Sequence, residues 1–260
     1  MNLELSTKPP TIIAMNYPLY AFICFFLSIV SSFAYTYQCL SHSPNVGIYH
    51  GLVSPEEAQH LIDLAQSRMS PSMVVDLEGS GSAHSSGRTS CSAFLEKSED
   101  SIVKAIEDRI AGILACDTNR IESLQVVRYQ FGQEYKPHHD YFSEDQLEAQ
   151  GNNQRKHTFL IYLNALPLEA GGYTVFPELF IACLPSVGAA LYFQDMNDEG
   201  EVEAKTLHAG APILGQGIEK WACNVWVREK AWKGTVSQET APSKESQAPA
   251  HPLPASIPHL

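Results

Sequence analysis

The hydrophobic pattern of this chain changes period partway along, and that change limits the folds open to it. Ser54-Pro-Glu-Glu57 has the form of a helix start: a serine cap, proline at the first helical position and glutamate three residues after the cap. Ala58, Leu61, Ile62, Leu64 and Ala65 follow at helical spacing. A second helix is expected over 99–115, with Ile102, Val103, Ile106, Ile110 and Ile113 as its buried stripe. From Ser123 to Val227 the pattern becomes short β-rich runs separated by turns. Helices first and strands afterwards predict an α+β domain. Between the helices, residues 79–87 (GSGSAHSSG) are small and polar and read as a mobile loop or linker.

A chain of 260 residues with 44% hydrophobic content can bury one substantial core and still carry appendages. The net charge of −12, with no basic stripe, argues against nucleic acid or anionic lipid as the main partner. The one local basic cluster, Arg155-Lys156-His157, is too short to track a phosphate backbone and reads as the flank of a strand. Six cysteines contain no C-x-x-C pair, so neither a zinc ribbon nor a redox motif is supported. Cys24 lies within an apolar segment, and Cys223, in KWACNVWV, reads as an ordinary buried thiol. The remainder are compatible with one or two disulfides whose pairing spacing does not reveal.

Both ends stand apart from this middle. Thr11 to Leu40 carries no charged residue, and Tyr17–Tyr35 is nearly continuous hydrophobe, enough to span a bilayer as a helix. Tyr17, Tyr20, Tyr35 and Tyr37 lie near its ends, where interfacial aromatics collect. The expected organisation is a tail over 1–16, a single-pass anchor over 17–37, a folded domain over 47–232 and a disordered tail over 233–260. A cleaved signal peptide is the rival: Ser32 and Ala34 suit a cut before Tyr35, although Glu4 and Lys8 do not make a clearly positive leader. A buried core helix is the third option. The C-terminal tail is rich in Pro, Ser and Ala with few hydrophobes to anchor it.

Within the β-rich region lies an H-x-D pair, His138 and Asp140, followed about 70 positions later by His208. On a strand, 138 and 140 point the same way while His139 points away. Two imidazoles and one carboxylate can occupy one face of an octahedral ferrous ion, leaving positions for a co-substrate and dioxygen. The pair alone is a weak signal. Its surroundings are specific: LQVVRYQFGQEYKPHHDYF (124–142), TFLIYLNALPLEAGGYTVFP (158–177) and LHAGAP…EKWACNVWV (207–227) together resemble the prolyl 4-hydroxylase-like branch of the Fe(II)/2-oxoglutarate dioxygenases. RTSCSAFL (88–95) looks like the upstream strand of the same branch, so the resemblance runs over roughly 47–230, with landmarks in order.

The resemblance implies a double-stranded β-helix, a jelly-roll-like barrel with helices packed on one side. It implies His138, Asp140 and His208 as iron ligands, with 2-oxoglutarate and O2 as co-substrates and L-ascorbate as reductant. It places Lys220, twelve residues after His208, as the cation that holds the distal carboxylate of 2-oxoglutarate, with Tyr129 and Thr174 as hydroxyl donors to the same group. A lysine between hydrophobes is out of place unless something anionic neutralises it, although a surface lysine at a strand start is the plain alternative. Tyr129 and Thr174 are equally ordinary strand residues. Tyr162 and Asn224 read as packed strand positions, and Arg88 either as a contact near the iron or substrate or as a loop anchor. The implied reaction is hydroxylation of proline in peptides in the endoplasmic reticulum or secretory pathway. The alternatives are tailoring of a free amino acid or small natural-product scaffold, and a non-catalytic barrel that only binds.

Overall fold

A computed structural model describes residues 34–75, 82–84 and 87–234. The elements in chain order are β1 (Thr36–His42), β2 (Asn45–His50), α1 (Pro55–Gln66), β3 (Ser70–Pro71), β4 (Met73–Val75), β5 (Ser82–His84), β6 (Cys91–Leu95), α2 (Ser101–Ile113), β7 (Leu124–Tyr129) and β8 (Tyr135–His138). They continue with α3 (Glu144–Ala149), β9 (Arg155–Tyr162), β10 (Thr174–Phe176), β11 (Ile181–Cys183), β12 (Ala190–Gln194), β13 (His208–Gly210) and β14 (Lys220–Arg228). An eight-stranded sheet has the order β1-β2-β12-β9-β14-β7-β6-β3, and a four-stranded sheet the order β11-β10-β13-β8. This is the expected α+β architecture, a double-stranded β-helix backed by helices.

Both expected helices form, the first from its cap at Ser54 and the second over Ser101–Ile113 within the expected 99–115. The Ser54 backbone N–H donates to the Glu57 carboxylate at 2.8 Å and the Glu57 N–H donates to Ser54 Oγ at 3.1 Å, closing the box that starts α1. Asp100 accepts from the Ile102 and Val103 N–H groups at the start of α2. Arg109 of α2 donates to Glu57 at 2.9 Å, tying the two helices together. Their apolar faces, with Leu61, Ile106 and Ile110 fully buried, cover one face of the large sheet through Val126, Phe159, Ile161, Cys223 and Val225.

Strand alternation turns the other set of side chains toward the small sheet. Val127, Tyr129, Tyr162, Leu191, Phe193 and Ala222 meet Phe176 and Cys183 there, in a second core enclosed between the sheets. Tyr129 faces Lys220 across β7 and β14, and both point into this enclosure.

Three expectations change. The sheet begins upstream of 47: β1 pairs with β2, which pairs with β12, so Thr36 and Tyr37 are strand rather than the end of an apolar span over 17–37. The pairing is favoured by Tyr37, which packs on Tyr49 at 4.7 Å between ring centroids. In the segment expected to be a loop, Ser82–His84 pairs with Met73–Val75 as a two-stranded ribbon, since the backbone groups of small residues hydrogen-bond as well as any. Residues 17–33, most of the expected tail from 233 and the rest of 79–86 lie outside the described residues. The five described cysteines are free thiols, and Cys223 is fully buried.

Candidate functional site

β8 and β13 are adjacent in the small sheet, and their register sets His138 directly opposite His208. The carboxylate joins them: Asp140 lies 3.6 Å from His138 Nε2 and 3.9 Å from His208 Nε2, and one ligand atom from each of the three falls within 4.8 Å of the others. β8 ends at His138, so Asp140 reaches this position from the residues just after the strand rather than from the strand itself. His139 turns away as predicted, with Nε2 donating to the Ala204 carbonyl at 2.8 Å and its ring stacked on Tyr141.

The protein sets the tautomer of both imidazoles. His138 Nδ1 lies 2.8 Å from the Lys136 carbonyl and His208 Nδ1 lies 2.9 Å from the Thr206 carbonyl. A carbonyl only accepts, so each Nδ1 carries the hydrogen and each Nε2 presents its lone pair to the shared space. Burial pushes both imidazoles below their usual range, His138 to about 3, which keeps them neutral. The His138 ring lies face to face with Tyr135, 3.5 Å between centroids, and Phe193 and Phe176 wall in His208.

Asp140 is held from two sides. Thr158 Oγ1 lies 3.0 Å from its Oδ2, and Arg155 donates to its backbone carbonyl at 3.3 Å. Burial works to raise this carboxyl, but His208, His138 and Arg155 outweigh it and hold it below the usual carboxylate range. Arg155 is itself fixed by Glu122, at 2.8 and 3.0 Å, and lies 3.6 Å over the Trp226 ring. Glu122 also accepts from Arg228, so the stretch that looked like a basic flank supplies one cation of a buried ion cluster beside the site. Thr158 Oγ1 has a second carboxyl neighbour, Asp195 Oδ2 at 2.7 Å. Asp195 is fully buried, and burial followed by the charge of Asp140 raises its carboxyl well above the usual range.

Two residues along β13 from His208, Gly210 lies opposite Thr174, and Thr174 lies opposite Cys183. A Cβ placed on Gly210 would be 3.9 Å from the Tyr129 hydroxyl, so the missing side chain leaves that hydroxyl above the row. Tyr162 donates to Thr174 Oγ1 at 2.9 Å. Lys220 Nζ sits 5.6 and 5.7 Å from the Tyr129 and Tyr162 ring centroids. The ammonium donates to the Gly172 carbonyl at 2.7 Å, while the residue is only 3% exposed. Gly172 has φ +70°, and a Cβ there would stand 2.6 Å from Ile213. Among the described residues no carboxylate pairs with Lys220, and burial pulls its ammonium down to about 7. A buried ammonium with two donors unspent is a receptor for an anion.

His138, Asp140, His208, Lys220, Tyr129, Thr174 and Tyr162 therefore fall into one enclosure. Arg88 and Asn224 join a hydrogen-bonded chain at its side: both donate to Gln125 Oε1 at 3.1 Å, and the Arg88 guanidinium lies 4.7 Å over the Tyr135 ring that supports His138. Thr158, Asp195 and Cys183 were not singled out. Thr158 and Tyr162 are four apart on one face of β9, which strand periodicity contains, whereas Asp195 follows the end of β12 with no local mark.

The donor set, two neutral imidazole nitrogens and one carboxylate on one side of an open space, fits a ferrous ion. The unpaired ammonium fits a carboxylate further along the same enclosure. Known proteins agree. The family model for the 2OG-Fe(II) oxygenase superfamily matches residues 124–228. "Probable prolyl 4-hydroxylase 3" of Arabidopsis thaliana is 35% identical over 215 residues, covering 75% of this chain and 73% of that protein. "Prolyl 4-hydroxylase 5" of the same plant is 34% identical over 215 residues, covering 75% and 72%. A viral collagen prolyl hydroxylase from Paramecium Bursaria Chlorella virus-1, solved as a 2OG complex, superposes with a TM-score of 0.56 at 25% identity, over 70% of this chain and 95% of that one. The chain belongs to the 2OG-Fe(II) oxygenase superfamily, in its prolyl 4-hydroxylase branch.

Proposed function

We propose that this 2-oxoglutarate-dependent dioxygenase hydroxylates proline within peptides, with His138, Asp140 and His208 as the iron ligands and Lys220, Tyr129 and Thr174 holding the co-substrate. The observation that carries the reading is one enclosure holding both a facial two-histidine, one-carboxylate set and a buried ammonium with no acidic partner among the described residues. When bound, iron, 2-oxoglutarate and dioxygen supply the oxidising power that places one oxygen atom in a C–H bond and the other in succinate, with release of CO2.

The chain's own part is positional. The Lys136 and Thr206 carbonyls aim two Nε2 lone pairs, and Thr158 with Arg155 fixes the carboxylate between them. Lys220 provides the charge for the far carboxylate of 2-oxoglutarate, and the Tyr129 hydroxyl lies alongside it above Gly210. Phe176, Phe193, Leu191 and Ile213 keep this end dry, which strengthens every charge contact within it. Ascorbate serves as the external reductant, as is typical of the family.

Proline as the target is supported by the named activities of the similar proteins. Location in the secretory pathway, with the apolar stretch before Thr36 as a single-pass anchor, is supported by the hydropathy of that stretch. Among the described residues no helix is long and apolar enough to cross a membrane. The deciding experiment is succinate release and product mass with a proline-rich peptide, with free proline and with neither. Peptide-dependent succinate with a matching gain of one oxygen supports the reading. Turnover with free proline alone supports the small-molecule alternative, and binding without turnover the non-catalytic one.

A further inference from the structure

Cys183 is the residue of the inner enclosure for which neither the iron-binding set nor the carboxylate contacts above have a use. The small-sheet register places it. Gly210, Thr174 and Cys183 stand side by side on β13, β10 and β11, and directly opposed residues in antiparallel strands project to one face. Thr174 is inside, since its hydroxyl receives the bond from Tyr162. Its neighbour Cys183 is therefore inside too, and it is only 4% exposed.

The electrostatics give the same location. Cys183 lies close enough to the Lys220 ammonium and to the Tyr162 hydroxyl for an ionised sulfur there to act on both. Burial pushes its thiol up to about 11, so it stays neutral and does not compete as a thiolate for Lys220.

The spacing suits a particular ligand length. His208 and Gly210 are two residues apart, about 6.7 Å along a strand. The end carbons of an extended five-carbon diacid are about 5 Å apart, from four C–C bonds of about 1.5 Å. A diacid with one end at the histidines thus brings its other carboxylate toward the level of the Gly210–Thr174–Cys183 row, where Cys183 stands on the Lys220 side of the enclosure.

We propose that Cys183 forms the end wall of the co-substrate pocket and selects the five-carbon 2-oxoglutarate over 2-oxo diacids one methylene longer. The inference rests on the reading of Lys220 as the carboxylate anchor. An extra methylene adds about 1.3 Å of length, which on this reading meets the thiol. Cys183→Ala removes one heavy atom there and Cys183→Leu adds two.

The test is equilibrium dissociation constants of 2-oxoglutarate and 2-oxoadipate for the whole protein loaded with Mn(II), which binds without turnover, in wild type, Cys183→Ala, Cys183→Leu and Lys220→Ala. Thermal unfolding is followed in parallel to confirm folding. Cys183→Ala should weaken 2-oxoglutarate by threefold or less while improving the 2-oxoadipate to 2-oxoglutarate affinity ratio by tenfold or more. Cys183→Leu, where folded, should weaken 2-oxoglutarate by thirtyfold or more. An affinity ratio within twofold of wild type in Cys183→Ala, with Lys220→Ala still weakening 2-oxoglutarate, overturns the wall assignment. Unchanged 2-oxoglutarate affinity in Lys220→Ala overturns the carboxylate anchor instead, so the two failures are distinguishable.

Discussion

The two faces of the eight-stranded sheet are made by the same strands and do opposite things. On β14, Trp221, Cys223, Val225 and Val227 turn to the helices, while Lys220 and Ala222 turn to the small sheet. The helix side is aliphatic and aromatic, and its side chains contribute by filling space. The inner side mixes apolar walls with buried Lys220, Asp140, Asp195 and Arg228, each of which costs free energy unless paired. Glu122 answers Arg228 and Arg155, but among the described residues nothing acidic answers Lys220. The carboxylate of 2-oxoglutarate, in the function proposed above, would supply that missing counter-charge.

That contrast predicts different consequences for substitutions on the two faces. The largest effect belongs to the carboxylate of the iron set. Asp140→Ala should reduce 2-oxoglutarate turnover below detection while leaving the circular dichroism spectrum unchanged. Retained turnover would mean that the inner face is arranged around some other group.

The next concerns the unmatched charge. Lys220→Ala leaves a desolvated carboxylate without its partner, a loss on the order of 3–5 kcal/mol, roughly 100- to 4,000-fold in affinity by the usual conversion of about 1.4 kcal/mol per decade. The 2-oxoglutarate concentration dependence of succinate formation should shift by that factor at saturating iron. Lys220→Arg should rescue only in part, because a planar fork does not fill an ammonium's place.

The outer face should respond in the opposite sense. Ile106→Ala, in a fully buried helix position, should cost about 2–5 kcal/mol of folding stability. Chemical denaturation measures that loss, and turnover per folded molecule should remain near wild type. A fall in turnover without a fall in stability would break the division between the faces.

How legible this was in the sequence depended on whether the signal is local. The helix cap at Ser54, the apolar stripe of α2 and the H-x-D pair are carried by neighbours in sequence, and all of them formed. Lys220 stood out because the resemblance places a lysine at this point of the motif, just before Trp221 at the start of a hydrophobic run. The partners of Asp140 were invisible for the converse reason: Thr158 and Asp195 are ordinary at their own positions and acquire a role only when β9 and β12 come together beside the site. The first two strands were hidden by their uncharged neighbourhood, where Tyr37 resembles the end of an apolar segment as much as the partner of Tyr49. Strand alternation set His138, not His139, beside Asp140 and His208 in the fold, although the strand stops at His138 and the following residues carry Asp140.

The smallest predicted effect is a pH dependence. Burial holds Lys220 at about 7 in the free protein, so above that pH the ammonium is lost before ligand arrives. A carboxylate restores the charge, and binding therefore takes up a proton. The 2-oxoglutarate dissociation constant should rise with pH above about 7, approaching tenfold per unit, and isothermal titration in buffers of different ionisation enthalpy should report the proton uptake. A flat profile between pH 7 and 9 would show that Lys220 keeps its proton without help.

The central claim, that this enclosure is an iron site built from His138, Asp140 and His208, is tested most directly by the metal content of two neighbouring variants. His138→Ala and His139→Ala remove the same side chain one residue apart, and their iron content is measured after anaerobic loading and desalting. The account predicts near-stoichiometric iron in wild type and His139→Ala, and loss of most of it in His138→Ala. Iron retained by His138→Ala and lost from His139→Ala would contradict it.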